Sequence, residues 1–312
     1  MKKIRIAVFG AGSLGSVIGA LLSKKNDVLL ITRGEHLLAI RERGLELRGL
    51  TRGIFDLEAE SYYPGGFDLI ILTVKAYDTQ KAAEDIKKEY GDESLITFQN
   101  GVGIVDMLRD FDVIPGVTSH GATMISPGVV KHAGYGDTFI GEKDGHLSER
   151  VFEIARNFTD CGLKTEVVND IMERRWIKAA INACINPLAA VMNVPNGVLV
   201  EDEHLREIMR CIADECSRTL AEREINVDVY SLAVDVARKT EENICSMLQD
   251  IRRGKRTEID FITAPFISGI CNLTLYRMIK FLERRGEGDF EPVGEIHPPE
   301  QRGEGDSNPR GQ

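Results

Sequence analysis

The chain has 312 residues, 43% of them hydrophobic and 28% charged, with a formal net charge of −10. This length suits two domains and the composition a folded globular protein, while the acidic balance argues against nucleic acid as a partner. No apolar run reaches the roughly 18 residues of a membrane span, so no membrane partner is expected either.

Ile4 to Phe9 is a short apolar run that leads straight into a glycine motif, with no cleavage site between. It predicts a first strand and not a signal peptide. Helical periodicity follows over Ser13 to Ser23. Asp27 to Thr32 predicts a second strand and Glu35 to Arg43 a helix; Asp68 to Val74, Thr79 to Glu89 and Ser94 to Phe98 continue as strand, helix and strand. Such alternation implies a parallel sheet with helices on both faces. Gly116 to Gly141, rich in Gly, Val and Thr, is expected to form antiparallel strands that finish the first domain. Beyond Asn169 the chain reads as helical, over Ile171 to Ile185, Glu203 to Arg223, Ser231 to Arg238 and Asn272 to Arg285. The expected organisation is an α/β Rossmann-type dinucleotide-binding domain over 1–168, an all-α domain over 169–285, and a disordered tail over 286–312. The six cysteines, at 161, 184, 211, 216, 245 and 271, include no Cys-x-x-Cys pair. Reduced thiols, a cytoplasmic protein and no metal site are the expectation.

Gly10-Ala-Gly-Ser-Leu-Gly15 lies between a predicted strand and a predicted helix, the context in which Gly-x-Gly-x-x-Gly marks a dinucleotide site. Gly10 permits the tight turn, Gly12 the approach of a pyrophosphate, and Gly15 the packing of helix on sheet. The helix N-terminus offers free N–H donors to the phosphates. Where an NAD site usually carries Asp or Glu, the second strand ends in Thr32-Arg33-Gly34. A guanidinium pairs well with a 2′-phosphate, so Arg33 points to NADP. Lys75 and Gln99-Asn100-Gly101 follow later strands at the same carboxyl edge. Lys75 is either a cofactor-site cation or a solvated lysine; Asn100 is a ligand or half of an Asn-Gly turn.

Lys178, Asn182 and Asn186 are spaced four apart in Arg175-Trp-Ile-Lys-Ala-Ala-Ile-Asn-Ala-Cys-Ile-Asn-Pro-Leu188, and so share one face of an otherwise apolar helix. A desolvated lysine has a lowered pKa and releases its proton more readily, which suits an acid for an oxygen that has just received hydride. The alternatives are an ion pair for Lys178 and polar core packing for the asparagines. Pro187 is expected to end or bend the helix. Asn196, in Asn193-Val-Pro-Asn-Gly197, is a ligand or shapes a turn. Ser246 with Gln249 and Thr257 with Asp260 fit helix capping boxes. The competing reading puts the Ser246 hydroxyl and the Glu258 carboxylate in the cleft, Glu258 to orient Lys178 or the cofactor.

Together the glycine motif with Arg33, Val74-Lys-Ala-Tyr-Asp-Thr79, Gln99-Asn-Gly101, Trp176 to Leu188, and the segments Ser246-Met-Leu-Gln-Asp250 and Thr257-Glu-Ile-Asp260 resemble the ketopantoate reductases (2-dehydropantoate 2-reductases). The resemblance implies NADPH-dependent reduction of 2-dehydropantoate to (R)-pantoate, on the route to pantothenate and coenzyme A. It makes Lys178 the proton donor, with Asn182, Asn186, Asn196 and Ser246 binding substrate. Asn100 and Glu258 would stand where substrate meets nicotinamide. Gly10, Ala11, Gly12, Ser13, Leu14 and Gly15 would hold the cofactor with Arg33 and Lys75, and Ala122 would touch it through its backbone. The chain departs from the family where Phe261 to Ile270 runs at once into Cys271-Asn-Leu-Thr-Leu-Tyr276: the loop before the last helix is shortened. Two alternatives stay open, a related NAD(P)-dependent reductase of another branched 2-oxoacid and a non-catalytic NADP-binding regulator. A homodimer is compatible with the chain.

Overall fold

A computed structural model describes residues 3–285; the tail expected over 286–312 lies outside the described residues. The N-terminal part contains β1 (Arg5–Phe9), α1 (Ser13–Leu22), β2 (Asp27–Ile31), α2 (Gly34–Arg43), β3 (Leu45–Gly49), β4 (Gly53–Phe55), β5 (Glu58–Glu60), β6 (Leu69–Leu72), α3 (Thr79–Lys87), β7 (Ser94–Thr97), α4 (Ile104–Met107), β8 (Val113–Thr118), β9 (Gly121–Ser126), β10 (Val129–Gly134), β11 (Thr138–Ile140), α5 (Glu149–Asp160) and β12 (Thr165–Val167). The helical part follows as α6 (Ile171–Met192), α7 (Val198–Glu201), α8 (Glu203–Ala221), α9 (Val229–Lys239), α10 (Ser246–Arg252), α11 (Ile259–Ile262) and α12 (Ile270–Arg285). Among the described residues no helix is long and apolar enough to cross a membrane.

The main sheet runs β12-β11-β8-β7-β6-β1-β2-β5. From β8 to β5 every neighbouring pair is parallel, which puts the carboxyl ends of these strands along one edge. The centres of β1, β2, β6 and β7 read as apolar runs, as in Leu-Ile-Ile-Leu of β6, because both faces are covered. The chain crosses from β1 outward to β2 and returns to β6 on the other side, so β1 and β6 flank the point where the winding reverses. Ligands of open α/β sheets bind outside the carboxyl ends at that point.

The antiparallel strands expected over Gly116 to Gly141 are present, as β8 with β11 and β9 with β10. Beyond the expectation, Val113–Thr118 also joins the main sheet in parallel with β7. A second sheet, β4-β3-β10-β9, packs on α1. It joins β10 in parallel to β3, about which the sequence carries no signal.

α6 is the axis of the helical part and packs on α8, α9, α10 and α12. Pro187 does not end it: the helix continues to Met192 and closes at Asn193 in a left-handed conformation. A proline removes one backbone donor and crowds the preceding turn. Here Leu188, Ala189 and Ala190 beyond it are buried in the core, which carries the helix past the proline. The capping boxes are corrected too. The cap of α10 is Cys245, whose Sγ accepts from Leu248 N, while Gln249 Nε2 donates to Ile244 O. Thr257 Oγ1 donates to Glu283 and accepts from Ile259 N, and Asp260 instead meets Tyr276, Arg256 and Lys280.

The thiols are not all reduced. Cys211 on α8 and Cys271 on α12 form a disulfide across 60 residues; Cys161, Cys184, Cys216 and Cys245 are free and buried. Spacing along the chain gave no sign of this pair, because only the packing of α12 on α8 brings the two together. The disulfide sits beside the shortened loop. There Glu215, 2% exposed, accepts from Cys271 N at 2.8 Å and from Asn272 N and Nδ2 at 2.9 and 3.0 Å. One buried carboxylate thereby satisfies two of the free N–H groups that begin α12. Cys211, Glu215 and Cys271 have donor atoms close enough for a metal ion, but the thiols are joined and the carboxylate is filled by these bonds.

Candidate active site

The glycine motif turns from β1 into α1. Gly10 N and Ala11 N both donate to Ile31 O, pinning the turn beside the end of β2. Gly10 has φ +93°, and a Cβ there would collide with the Val74 backbone. A Cβ on Gly15 would lie 2.5 Å from Thr73 Oγ1 and 2.8 Å from Gly10 O, so this glycine is what lets α1 seat on the sheet. Gly12 has only Gly10 O within 4 Å, at 3.9 Å, leaving its outer face open. α1 has neither a side-chain cap nor an acidic residue in its first turn. An open glycine before an uncapped helix start fits a dinucleotide pyrophosphate. Arg33 is exposed at the start of α2, two residues beyond the carbonyl that pins the turn. Ala122 lies on β9, which packs on α1.

Lys75 follows β6. Its Nζ is 2.6 Å from Asp250 Oδ2 and 3.6 Å from Glu258 Oε2. Burial alone would lower its pKa, but the carboxylates of Glu258 and Asp250 outweigh that and hold it above the ordinary lysine value. Glu258 Oε1 accepts from Ala76 N at 2.9 Å. Glu258 thus binds the β6 edge directly. Of the two partners considered for it, Lys178 is not one it hydrogen-bonds.

Lys178 Nζ donates to Asn100 Oδ1 and to Thr118 O, both at 2.8 Å. Its acceptors come from the ends of β7 and β8, and neither carries charge, so Lys178 is not in the ion pair that was its alternative reading. An ammonium has three donors, and two are used here. Burial depresses its pKa, Arg175 depresses it further, and Glu258 only partly opposes them, bringing it to about 8. Asn182 is half-buried one turn further along α6, and Asn186 is buried one turn beyond that. Ser246 is exposed in the first turn of α10, which packs on α6. Asn196 Nδ2 donates to Thr240 Oγ1 at 2.9 Å, and its Oδ1 is buried without a partner among the described residues.

Arg175 is absent from the sequence expectations, although it sits one helical turn before Lys178. It is 4% exposed and donates to four carbonyls: Gly116 O at 2.7 Å, Gly101 O at 3.2 Å, Gln99 O at 3.3 Å and Thr97 O at 3.5 Å. Two of these flank Asn100, so Arg175 fixes the loop that presents Asn100 to Lys178. The available signal was an arginine one turn before Lys178, next to Arg174; its partners, about 60 to 80 residues away in sequence, were not legible.

Comparison with known proteins identifies the family. The sequence family described as ketopantoate reductase PanE/ApbA matches residues 6–145, and its C-terminal counterpart matches residues 170–268. A 2-dehydropantoate 2-reductase of Archaeoglobus fulgidus is 38% identical, covering 91% of this chain and 99% of the relative. One from Pyrococcus horikoshii is 36% identical over the same shares. Among solved structures, a PanE/ApbA family ketopantoate reductase from Ralstonia eutropha superposes with a TM-score of 0.83 at 28% identity, covering 90% of this chain and 99% of that one. A D-mandelate dehydrogenase in complex with NADH superposes with a TM-score of 0.83 at 25% identity, over the same shares. The chain belongs to the ketopantoate reductase PanE/ApbA family.

Proposed function

We propose that the protein reduces 2-dehydropantoate to (R)-pantoate with NADPH, with Lys178 as proton donor. The observation that carries this reading is the setting of Lys178: a desolvated ammonium held by Asn100 Oδ1 and Thr118 O with no carboxylate bonded to it, its pKa about 8. Such a group is mostly protonated at neutral pH and gives its proton up more readily than a free lysine.

When bound, the reduced nicotinamide supplies hydride to the keto carbon. Gly10 to Gly15 and the start of α1 bind the pyrophosphate, Arg33 the 2′-phosphate, and Ala122 the cofactor through its backbone. Lys75 and Glu258 fix the β6 edge beside it. Asn182, Asn186 and Ser246 orient the substrate's oxygens, with Asn196 behind them. Asn100 holds Lys178 so that its remaining N–H faces the oxygen, which receives the proton as negative charge develops there. In this reading the sheet domain, 1–168, presents the cofactor and the helical domain, 169–285, the acid. A cytoplasmic location belongs to the same reading.

The test is NADPH oxidation followed by absorbance with 2-dehydropantoate, repeated with NADH and with Lys178→Ala. NADPH is expected to be preferred, and Lys178→Ala to lower turnover by about 10²- to 10⁴-fold with cofactor affinity retained. Undiminished turnover in Lys178→Ala removes the lysine from its role. A second reading, an NADH-dependent reductase of a different 2-oxoacid, draws on the likeness to the NADH-bound D-mandelate dehydrogenase. Faster turnover of another 2-oxoacid with NADH in the same assay selects it.

A further inference from the structure

His36, in the first turn of α2, is 9% exposed and belongs to none of the roles above. Its Nδ1 accepts from Gly128 N at 2.9 Å. A backbone amide can only donate, so Nδ1 carries no hydrogen and the neutral ring's one N–H is at Nε2. That nitrogen lies 3.1 Å from Ser16 Oγ, and Ser16 Oγ donates in turn to Ala11 O at 3.3 Å. The direction of every bond in the series follows from the first. Burial lowers the pKa of His36, partly opposed by the Ala11 backbone that the ring also approaches, in keeping with the neutral ring.

One end of this series is in the glycine turn, and the other is at the tip of the β9–β10 hairpin. Ala11 is the second residue of the glycine turn. Gly128 is the turn between β9 and β10, the hairpin that carries Ala122. A Cβ on Gly128 would lie 2.9 Å from Ala39 Cβ of α2, so the hairpin reaches His36 only through this close approach. Because a peptide unit is planar, holding Ala11 O also sets the orientation of the Ala11–Gly12 peptide, which leads into the uncapped start of α1.

We propose that His36 is a positioning residue for dinucleotide binding, acting through Ser16 on the Ala11–Gly12 peptide of the phosphate-binding turn. It touches no cofactor itself. The inference rests on reading Gly10 to Gly15 as the cofactor turn, and it adds a specific claim: the Nε2 side of the ring matters for binding, and the Nδ1 side anchors the hairpin.

Amide substitutions separate the two sides. Gln places its amide nitrogen near the position of Nε2 and can still donate to Ser16. Asn places its oxygen near Nδ1, can still accept from Gly128, and falls short of Ser16. The experiment is fluorescence titration of NADPH into His36→Gln, His36→Asn and Ser16→Ala, with steady-state kinetics at saturating NADPH. His36→Asn and Ser16→Ala are each expected to weaken NADPH binding by about three- to tenfold, the worth of one hydrogen bond. Their kcat should change little, and His36→Gln should bind close to the wild-type value. The double variant His36→Asn/Ser16→Ala should bind no worse than the weaker single variant. The reverse order, with Asn restoring binding and Gln losing it, overturns the proposal in favour of a purely structural hairpin anchor; so does wild-type affinity in both His36→Asn and Ser16→Ala. A wild-type protein that binds no NADPH or NADH instead overturns the cofactor reading, a separate outcome. Thermal midpoints of the three variants identify any loss that comes from misfolding, and Ser16→Ala, the smallest change, keeps the test available if a His36 variant does not fold.

Discussion

Lys178 and Arg175 occupy one face of α6 a single turn apart, and neither bonds to a carboxylate. Two cations this close would repel strongly in a dry interior. The strand-end carbonyls relieve that by surrounding the guanidinium, which burial lowers only to about 10, so Arg175 stays charged at neutral pH. Its charge then depresses Lys178. The sign gives a prediction. In the proton-donor role proposed for it, Lys178 works while protonated, so kcat/KM should be level near neutrality and fall as pH rises through about 8. Arg175→Met removes a like charge, raises the Lys178 pKa, and should move this alkaline limb to higher pH while lowering kcat because Asn100 is less firmly held. Arg175→Lys keeps the charge and should leave the limb closer to its original position. A limb that stays put in Arg175→Met would show that the guanidinium acts on shape alone. At this scale the sequence was informative where periodicity speaks. Lys178, Asn182 and Asn186 declared a shared face by their spacing, whereas Arg175 was hidden because carbonyls have no sequence signature.

At the scale of elements, the chain reports its long helices and central strands but not its joins. The central parallel strands β1, β2, β6 and β7 are recognisable because their centres are apolar. The strands β3, β4 and β5 are short and mixed in polarity, and β3 finds its partner β10 about 80 residues later, so no local pattern marks them. What holds the start of α12 was not legible: it is held by Glu215 and by the Cys211–Cys271 bridge. Glu215→Ala would leave buried N–H groups of Cys271 and Asn272 without acceptors, at a cost of about 2–4 kcal/mol. The expected result is a lower urea midpoint with an unchanged slope. Gly269→Ala should do similar damage, because a Cβ there would run into the Glu215 carboxylate. The bridge closes a loop of 60 residues, a constraint on the unfolded chain of about 4 kcal/mol in the loop-entropy account. Thermal unfolding with and without reductant, checked by alkylation and mass, should show a lower midpoint once the bridge is opened. An equal midpoint would mean that Glu215 and the packing of Leu275 and Ile279 already hold α12 in place.

In the whole molecule, the helical part meets the sheet along the carboxyl edge. α6 brings Arg175 and Lys178 to the ends of β7 and β8, and Glu258 accepts from Ala76 N beyond β6. Arg253 reaches Met124 O on β9 at 3.0 Å. The parallel sheet, the order of its strands' loops and the site's place on that edge were all readable from alternation and from where Lys75 and Asn100 fall. How the helices cross that edge was not, since it depends on Asp250, a residue quoted in a motif without a role. Asp250 is buried, and burial raises its pKa against the pull of Lys75. The pair is therefore a join whose two charges depend on each other: removing either leaves the other poorly solvated. Lys75→Met and Asp250→Asn should each raise KM for NADPH and lower the thermal midpoint, and the double variant should lose less than the sum of the two. The expected coupling is about 1–3 kcal/mol, within the range found for residues in contact. Glu258, 3.6 Å from the same ammonium, sets the lower end of that range by keeping Lys75 partly paired when Asp250 is gone. Strict additivity in both readouts would mean that the two parts are held by α6 and Arg175 alone, with Lys75 and Asp250 acting independently on the cofactor's side of the cleft.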